Sequence, residues 1–348
     1  MTRRHFLIAA SAAAAARGEA AAIALKIGQI GTAHSHAAGK MEAMRGLPQL
    51  WQVAGLVEPE ASHRAKVEKG ALYEGVPMMA ETELLAVPGL AAVAVETRVE
   101  ESCATAMRCL QAGKHVHLDK PGALDHAEFT TMRADAEKRG LTVQMGYMLR
   151  YNPAFELLFN AVREGWLGEV TEIDAAMGKL ADPTTRAAIG ALPGGGMFEL
   201  ACHVIDAVVT ILGKPAGVTG FSTPTRADGV KDNQLAVLEY AKATAVVRCN
   251  HSDPFGGPRR RFNVTGTEGT FEILPLESGK VRLSLTKAHG EYKKGARSVQ
   301  LTVPKGRYTA EFVDLAKAVR GEKALAWNAE HDIAVHETVL KAAGIWRQ

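Results

Sequence analysis

What this 348-residue chain has little of narrows its function before any motif is read. An excess of one charge is missing: 41 Lys and Arg stand against 38 Asp and Glu, a formal net charge of +3. Nucleic-acid binders need a basic face that neutralises phosphates, so this balance argues against nucleic acid as a partner. The one basic cluster, Arg259-Arg260-Arg261, reads as a solvated turn. Cysteine is scarce as well. The four, Cys103, Cys109, Cys202 and Cys249, show no Cys-x-x-Cys spacing, which excludes a zinc finger and a thioredoxin-type redox motif. Cys103 and Cys109 fall on different faces of a helical stretch, and all four read as packed thiols. There is no internal repeat.

What is present begins at the N-terminus. Thr2-Arg3-Arg4-His5-Phe6-Leu7-Ile8 leads an alanine-rich run to Ala16, followed by Arg17-Gly18-Glu19. The apolar run is well short of the ~20 residues a membrane span needs. A charged start, a short apolar core and small residues after it make a signal peptide, and the paired arginines resemble a twin-arginine export signal. Residues 1–22 are therefore expected to be a leader. The rest is expected to be periplasmic or otherwise extracytoplasmic, and not inserted in a membrane.

From there the pattern alternates. Strand-like runs at Ala24–Ile30, Gln52–Val57, Leu90–Val95, His115–Leu118 and Leu141–Met145 are separated by helical stretches at Ala37–Arg45, Glu100–Ala112 and His126–Arg139. Alternating strands and helices predict a doubly wound parallel sheet over residues 23–148. From residue 149 the texture changes to successive strand-like runs separated by turns. A helix over Met197–Leu212 interrupts them and helices at Thr309–Arg320 and Ala329–Ala343 close the chain. That order predicts an α+β domain with a mainly antiparallel sheet over 149–348.

Three strings carry chemistry. The first strand runs into Gly28-Gln29-Ile30-Gly31-Thr32-Ala33-His34-Ser35-His36. A dinucleotide fingerprint places one glycine in the tight turn, a second under the pyrophosphate and a third against the strand. Gly31 fits the first role, while Ala33 and His36 hold the other two. His34 and His36 read as polar caps of a helix N-terminus, and no metal site is expected from a histidine pair without carboxylate support. Glu58 ends the second strand, where an acid binds a ribose 2′-hydroxyl and repels a 2′-phosphate, which favours NAD over NADP. Lys120, in Asp119-Lys120-Pro121, follows a strand at the edge where open α/β sheets bind ligands, and Pro121 has the place of a residue after a cis bond. Finally Gly194-Gly195-Gly196 opens the helix of Glu199 and His203, four apart and hence on one face, where the acid can orient the imidazole for proton transfer.

Together with Ala112-Gly113-Lys114-His115-Val116, Met145-Gly146-Tyr147 and Gly266-Thr267-Glu268-Gly269, these strings resemble the Gfo/Idh/MocA oxidoreductases over nearly the whole chain after the leader. The resemblance implies an N-terminal Rossmann domain, a C-terminal sheet that forms homo-oligomers, and NAD(P)-dependent oxidation or reduction of a sugar or polyol. It places Lys120, His203 and Glu199 in catalysis. Gly31, Thr32, Ala33, His34, Glu58, Glu96, Thr97, Asp119 and Lys120 are the residues expected around NAD, and Arg150, Tyr151 and Asn152, where the second domain begins, are with Trp327 the expected substrate contacts. Asp119 stands for the family's usual Glu, Glu199 for its usual Asp, Ser102 for a frequent His, and Thr97-Arg98 for Thr-Pro. Two alternatives accompany this reading: an NAD-dependent glycosidase of the same fold, and an exported sugar-binding protein without cofactor.

Overall fold

The structure is a computed structural model, and it describes residues 23–347. The expected leader, residues 1–22, lies outside them.

The first half comprises β1 (Leu25–Ile30), α1 (Ala37–Arg45), β2 (Trp51–Val57), α2 (Ala61–Val67), α3 (Glu81–Leu85), β3 (Leu90–Val95), α4 (Val99–Gln111), β4 (His115–Leu118), α5 (His126–Lys138) and β5 (Val143–Met145). The five strands form a parallel sheet in the order β2-β1-β3-β4-β5. A single parallel bridge from Leu56 to Met78 extends it by one residue beyond β2. Counting that bridge as a vestigial strand gives the order 3-2-1-4-5-6 of a dinucleotide-binding sheet, with its switch point between β1 and β3. The strands are near-continuous apolar runs because helices cover both faces: Leu90, Ala92, Val93, Ala94 and Val95 of β3 are all buried.

The second half comprises α6 (Pro153–Arg163), β6 (Val170–Ala176), α7 (Pro183–Ala191), α8 (Gly195–Glu199), α9 (Cys202–Leu212), β7 (Gly217–Pro224), β8 (Lys231–Glu239), β9 (Thr244–Asn250), β10 (Arg261–Gly266), β11 (Gly269–Ile273), β12 (Lys280–Leu285), β13 (Gly295–Gln300), α10 (Thr309–Val319) and α11 (Ala329–Ala342). Its eight-stranded sheet runs β13-β12-β11-β10-β6-β9-β8-β7, antiparallel except for the β6–β9 pair. In β8 and β12 buried and open positions alternate, so one sheet face packs under helices and the other does not. Among the described residues no helix is long and apolar enough to cross a membrane.

The two halves are riveted together by polar groups that sequence reading did not anticipate. Trp51 of β2 donates its indole N–H to the Phe312 carbonyl of α10 at 2.9 Å. The fully buried Lys40 of α1 pairs with Glu311 of α10 at 2.5 Å. A buried ion pair is tolerated only when both partners are present, so each fixes the position of the other's helix.

One expected helix is two. Where a single helix was read over Met197–Leu212, α8 stops at Glu199 and α9 starts at Cys202. Gly194 and Gly195 have φ of +76° and +56°, conformations that a side chain disfavours. A Cβ on Gly196 would come within 2.2 Å of His251 Nε2. The three glycines therefore fix a turn and a close approach rather than supplying a flexible opening.

Candidate active site

Gly31 turns the chain out of β1 with φ of +87°, and a Cβ there would press on the Glu96 backbone at 2.9 Å. That is the tight-turn role expected of it. Thr32 follows, and its hydroxyl donates to Glu58 Oε2 at 2.5 Å while the Glu60 backbone N–H donates to Oε1. Glu58 thus stands at the C-terminal end of β2 with its carboxylate fixed by two donors. Gly31, Ala33, Glu58, Thr97 and Arg98 line one pocket. A glycine turn, an anchored acid and an open crevice at the switch point fit the adenosine half of a dinucleotide. The two nearby arginines do not offer themselves to a 2′-phosphate: Arg64 donates to the Glu58 carbonyl and Arg98 pairs with Glu60.

A second cleft of about 620 Å³ adjoins this pocket through Ala33, Thr97 and Arg98. Its floor includes His34, Pro121 and Glu199, and its far wall is α7, with Thr184, Thr185, Ala188 and Ile189. Sequence reading passed over α7, although Asp182-Pro183 carries the signal: Asp182 caps the helix by accepting from Thr185 N–H, and proline stands at the first position.

Lys120 lies buried beneath the cleft floor at the end of β4, between the cis-linked Pro121 and Glu199 that line the cleft. Its Nζ donates to the Glu199 carbonyl at 2.5 Å and to Glu199 Oε1 at 3.1 Å. Burial works against the ammonium, but Glu199 outweighs it and raises the lysine above its ordinary range. Lys120 in turn pulls Glu199 down to about 2 against the effect of burial. Glu199 therefore serves Lys120. The break between α8 and α9 removes the shared helix face that was to join Glu199 to His203, and that pairing is corrected. His203 is buried, and its Nδ1 has no hydrogen-bond partner. Burial, with Lys120 and His36 adding positive charge, holds it well below the ordinary histidine range, so it is neutral.

Asp119 and Glu96 lie behind this surface. Asp119 faces His34 and His36 rather than the pockets: Asp119 Oδ2 is 3.2 Å from His34 Nδ1 and 3.1 Å from His36 Nδ1. Burial disfavours the charged form of Asp119, but His34, Lys40 and His36 outweigh it and keep the carboxylate ionised. His36 is lowered to about 4 by its own burial, with Asp119 opposing. His36 occupies the N-cap position of α1 yet its side chain makes no capping bond. Glu96 is buried and lines none of the pockets described here; burial and Asp119 raise it well above the usual carboxylate range.

The four expected substrate contacts are elsewhere. Arg150 is buried, donating Nε and Nη2 to Asp206 and Nη2 to Asp332 at 2.7 Å. Asn152 caps α6 by accepting from Ala154 N–H. Tyr151 donates its hydroxyl to Asp314, and Trp327 donates to Thr210. Arg150, Tyr151 and Trp327 line a separate groove that shares no residue with the cleft of His34 and Glu199. Their polar groups are engaged within the fold, and none of the four lines the cleft of His34 and Glu199.

Comparison with known proteins agrees with this architecture. A family model described as "Oxidoreductase family, NAD-binding Rossmann fold" matches residues 25–147, and one described as "GFO/IDH/MocA C-terminal domain" matches 155–272. The chain belongs to the Gfo/Idh/MocA oxidoreductase family. Relatives within it include the trans-1,2-dihydrobenzene-1,2-diol dehydrogenase of Bos taurus, 27% identical over 60% of this chain and 62% of the relative. The scyllo-inositol 2-dehydrogenase (NADP(+)) IolW of Bacillus subtilis is 24% identical over 66% of this chain and 69% of the relative. The chain thus spans less than two thirds of the diol dehydrogenase. Among solved structures, levoglucosan dehydrogenase in complex with NADH and levoglucosan superimposes with a TM-score of 0.77, covering 92% of this chain and 96% of that one at 17% identity. A likeness at that identity speaks to the fold. The family's two-domain plan is the one seen here, a parallel sheet followed by a mainly antiparallel one.

Proposed function

We propose that this protein is an exported dehydrogenase or reductase that moves hydride between NAD and an alcohol of a sugar or polyol. The observation that carries the reading is Lys120: a buried ammonium held by Glu199, which floors the cleft that opens beside the Glu58 pocket. Names of relatives that act on a diol, an inositol and an anhydrosugar support the substrate class.

The dinucleotide, when bound, supplies a ring that accepts or gives hydride. The chain supplies the rest. Lys120, cationic through the neutral range, donates to the reacting oxygen and stabilises negative charge as it develops there. His203, neutral and with a free Nδ1, takes the hydroxyl proton. The apolar side chains of α7 keep water from the cleft. Turnover of a panel of sugars, polyols and glycosides by purified protein, with NAD or NADP supplied, tests the reading. Release of a glycosidic leaving group without net nucleotide reduction would favour the glycosidase alternative, and failure to bind nucleotide the binding-protein one.

NAD is the nucleotide expected, because Glu58 meets a 2′-phosphate with like charge. Glu58→Gln keeps the shape, its oxygen accepting from the Glu60 N–H while its NH2 donates to the Thr32 hydroxyl, and removes the charge, so the ratio of NAD to NADP affinity should fall by on the order of tenfold, about 1.4 kcal/mol. Equal affinities in the unmutated protein would remove the argument. For localisation, Arg3→Lys with Arg4→Lys should retain the precursor inside the cell, as fractionation and immunoblotting would show; unchanged export would sink the twin-arginine assignment.

A further inference from the structure

We propose that His34, His36 and Asp119 form a binding site for one divalent transition-metal ion. The sequence shows only a His-x-His pair, and the fold brings the missing carboxylate from the end of β4, 83 residues away. One ligand atom from each of the three lies within 4.8 Å of the others. The two contacts to Asp119 Oδ2, 3.2 Å from His34 and 3.1 Å from His36, match the edges of a coordination shell. Ligand atoms bound at about 2.0–2.2 Å to a central ion lie roughly 3 Å apart. Two imidazoles and a carboxylate on one side of an ion suit zinc or ferrous iron rather than calcium or magnesium, which prefer all-oxygen shells.

Of two further observations, one sets a condition on the ion and the other points to it. The His36 backbone N–H donates to His34 Nδ1 at 3.2 Å, so that nitrogen presents a lone pair. The same nitrogen faces Asp119 Oδ2 at 3.2 Å. That nitrogen has a single in-plane lone pair, so the backbone N–H and an ion compete for it, and an ion drawn to Asp119 must displace this 3.2 Å backbone contact to bind. The second observation is Glu96. Its side chain is fully buried, neither carboxylate oxygen has a partner, and Oε2 lies 3.8 Å from His34 Nδ1. The two nearby lysines do not oppose the ion, because each already has a carboxylate: Lys40 pairs with Glu311 and Lys120 with Glu199.

The departures from the glycine fingerprint then acquire a reason, since His36 occupies the third glycine's place in order to ligate. His34 lines the cleft beside Pro121 and Glu199, so coordination positions left free by the protein open toward the substrate side, where they can take a water or a substrate oxygen.

The full chain without an affinity tag, stripped with chelator, is titrated with Co²⁺ and followed by visible absorption. One equivalent should bind with a d–d spectrum and be displaced by Zn²⁺. His34→Asn and His36→Asn should each weaken Co²⁺ binding by at least about 100-fold, because even partners outside the ligand shell are worth 10–100-fold. His34→Asp, which returns an oxygen ligand, should keep a Co²⁺ band with an altered spectrum. Circular dichroism melts report whether each variant folds; should His36→Asn fail to fold, the two His34 variants decide alone. No stoichiometric uptake, or uptake unchanged in His34→Asn, overturns the site. NADH binding, read by fluorescence on the same stripped protein, is a separate result: NADH bound without Co²⁺ uptake ends the metal proposal and leaves the dehydrogenase standing, and the converse does the reverse.

Discussion

Lys120→Met should lower kcat by about 10²-fold or more on a verified substrate while KM moves little, because the ammonium acts on charge that exists only in the transition state. His203→Ala should cost a similar factor, since a positioned general base contributes on the order of 10²–10⁴-fold. The double variant should lose far less than the product of the two, as groups that act on one hydroxyl fail together. The pair Lys120–Glu199 also shapes the pH response. Glu199 is depressed to about 2, so its contribution to stability is complete above the ordinary carboxylate range and fades only as pH falls toward that value. Lys120 is raised, so it remains charged throughout the neutral range. His203 is lowered, and loss of its base form appears only in acid. Between pH 6 and 8, values where an ordinary histidine titrates at about 6.5, kcat/KM should therefore show no limb from these three groups. Steady-state kinetics measures all of this. Intact turnover in both single variants would mean that the family likeness speaks for the fold and not for this chemistry.

Arg150→Met should destabilise the protein by about 3–5 kcal/mol, the usual cost of leaving a buried charge without its partner. Two carboxylates, Asp206 and Asp332, lose their strongest donor. The lower part of that range is favoured, because Asp206 retains His331 at 3.1 Å and Asp332 retains Arg133 at 3.2 Å. Burial opposes the charged form of Asp206 and Arg150 overcomes it, holding the carboxyl below its ordinary value. Such a group stabilises above the ordinary carboxylate range and ceases to do so as pH falls through its depressed value. In the variant the same carboxylate is buried without that donor, and acid relieves it. The gap between the two proteins in urea unfolding should then be widest near neutral pH and close on acidification. A substrate contact behaves differently: stability would hold and KM would rise. That outcome would return Arg150 to the binding site.

The sequence held every local instruction for the parallel sheet. The run Leu-Ala-Ala-Val-Ala-Val specifies β3 because both of its faces are covered, and period alone marks it. Gly31 was legible as a turn because a positive φ is a property of one residue. Glu58 and Lys120 were legible because strand ends in an open α/β sheet meet at one edge whatever the loops do. The antiparallel half was harder. β7 (Gly217–Pro224) was missed because Gly217, Gly220 and Pro224 weaken its strand signal, and its pairing with β8 supplies what its composition lacks. The helix over Met197–Leu212 was read as continuous because apolar periodicity passes unbroken through Leu200 and Ala201, where the backbone does not.

What the tertiary structure alone decided is which polar groups meet. Lys120 finds Glu199 at a separation of 79 residues, His36 finds Asp119 at 83, Arg150 finds Asp332 at 182, and Lys40 finds Glu311 at 271. Spacing offered Glu199 a nearer partner in His203, and Arg150 read as a substrate ligand. Glu199 pairs with Lys120 and Arg150 with two buried aspartates, because a buried charge takes whichever opposite charge the packed core brings within reach, and chain distance does not enter that selection. Period and propensity act over a few residues and so are written along the chain. Desolvation and Coulomb attraction act across the folded interior, and there they set the partners of Lys120, His36 and Arg150.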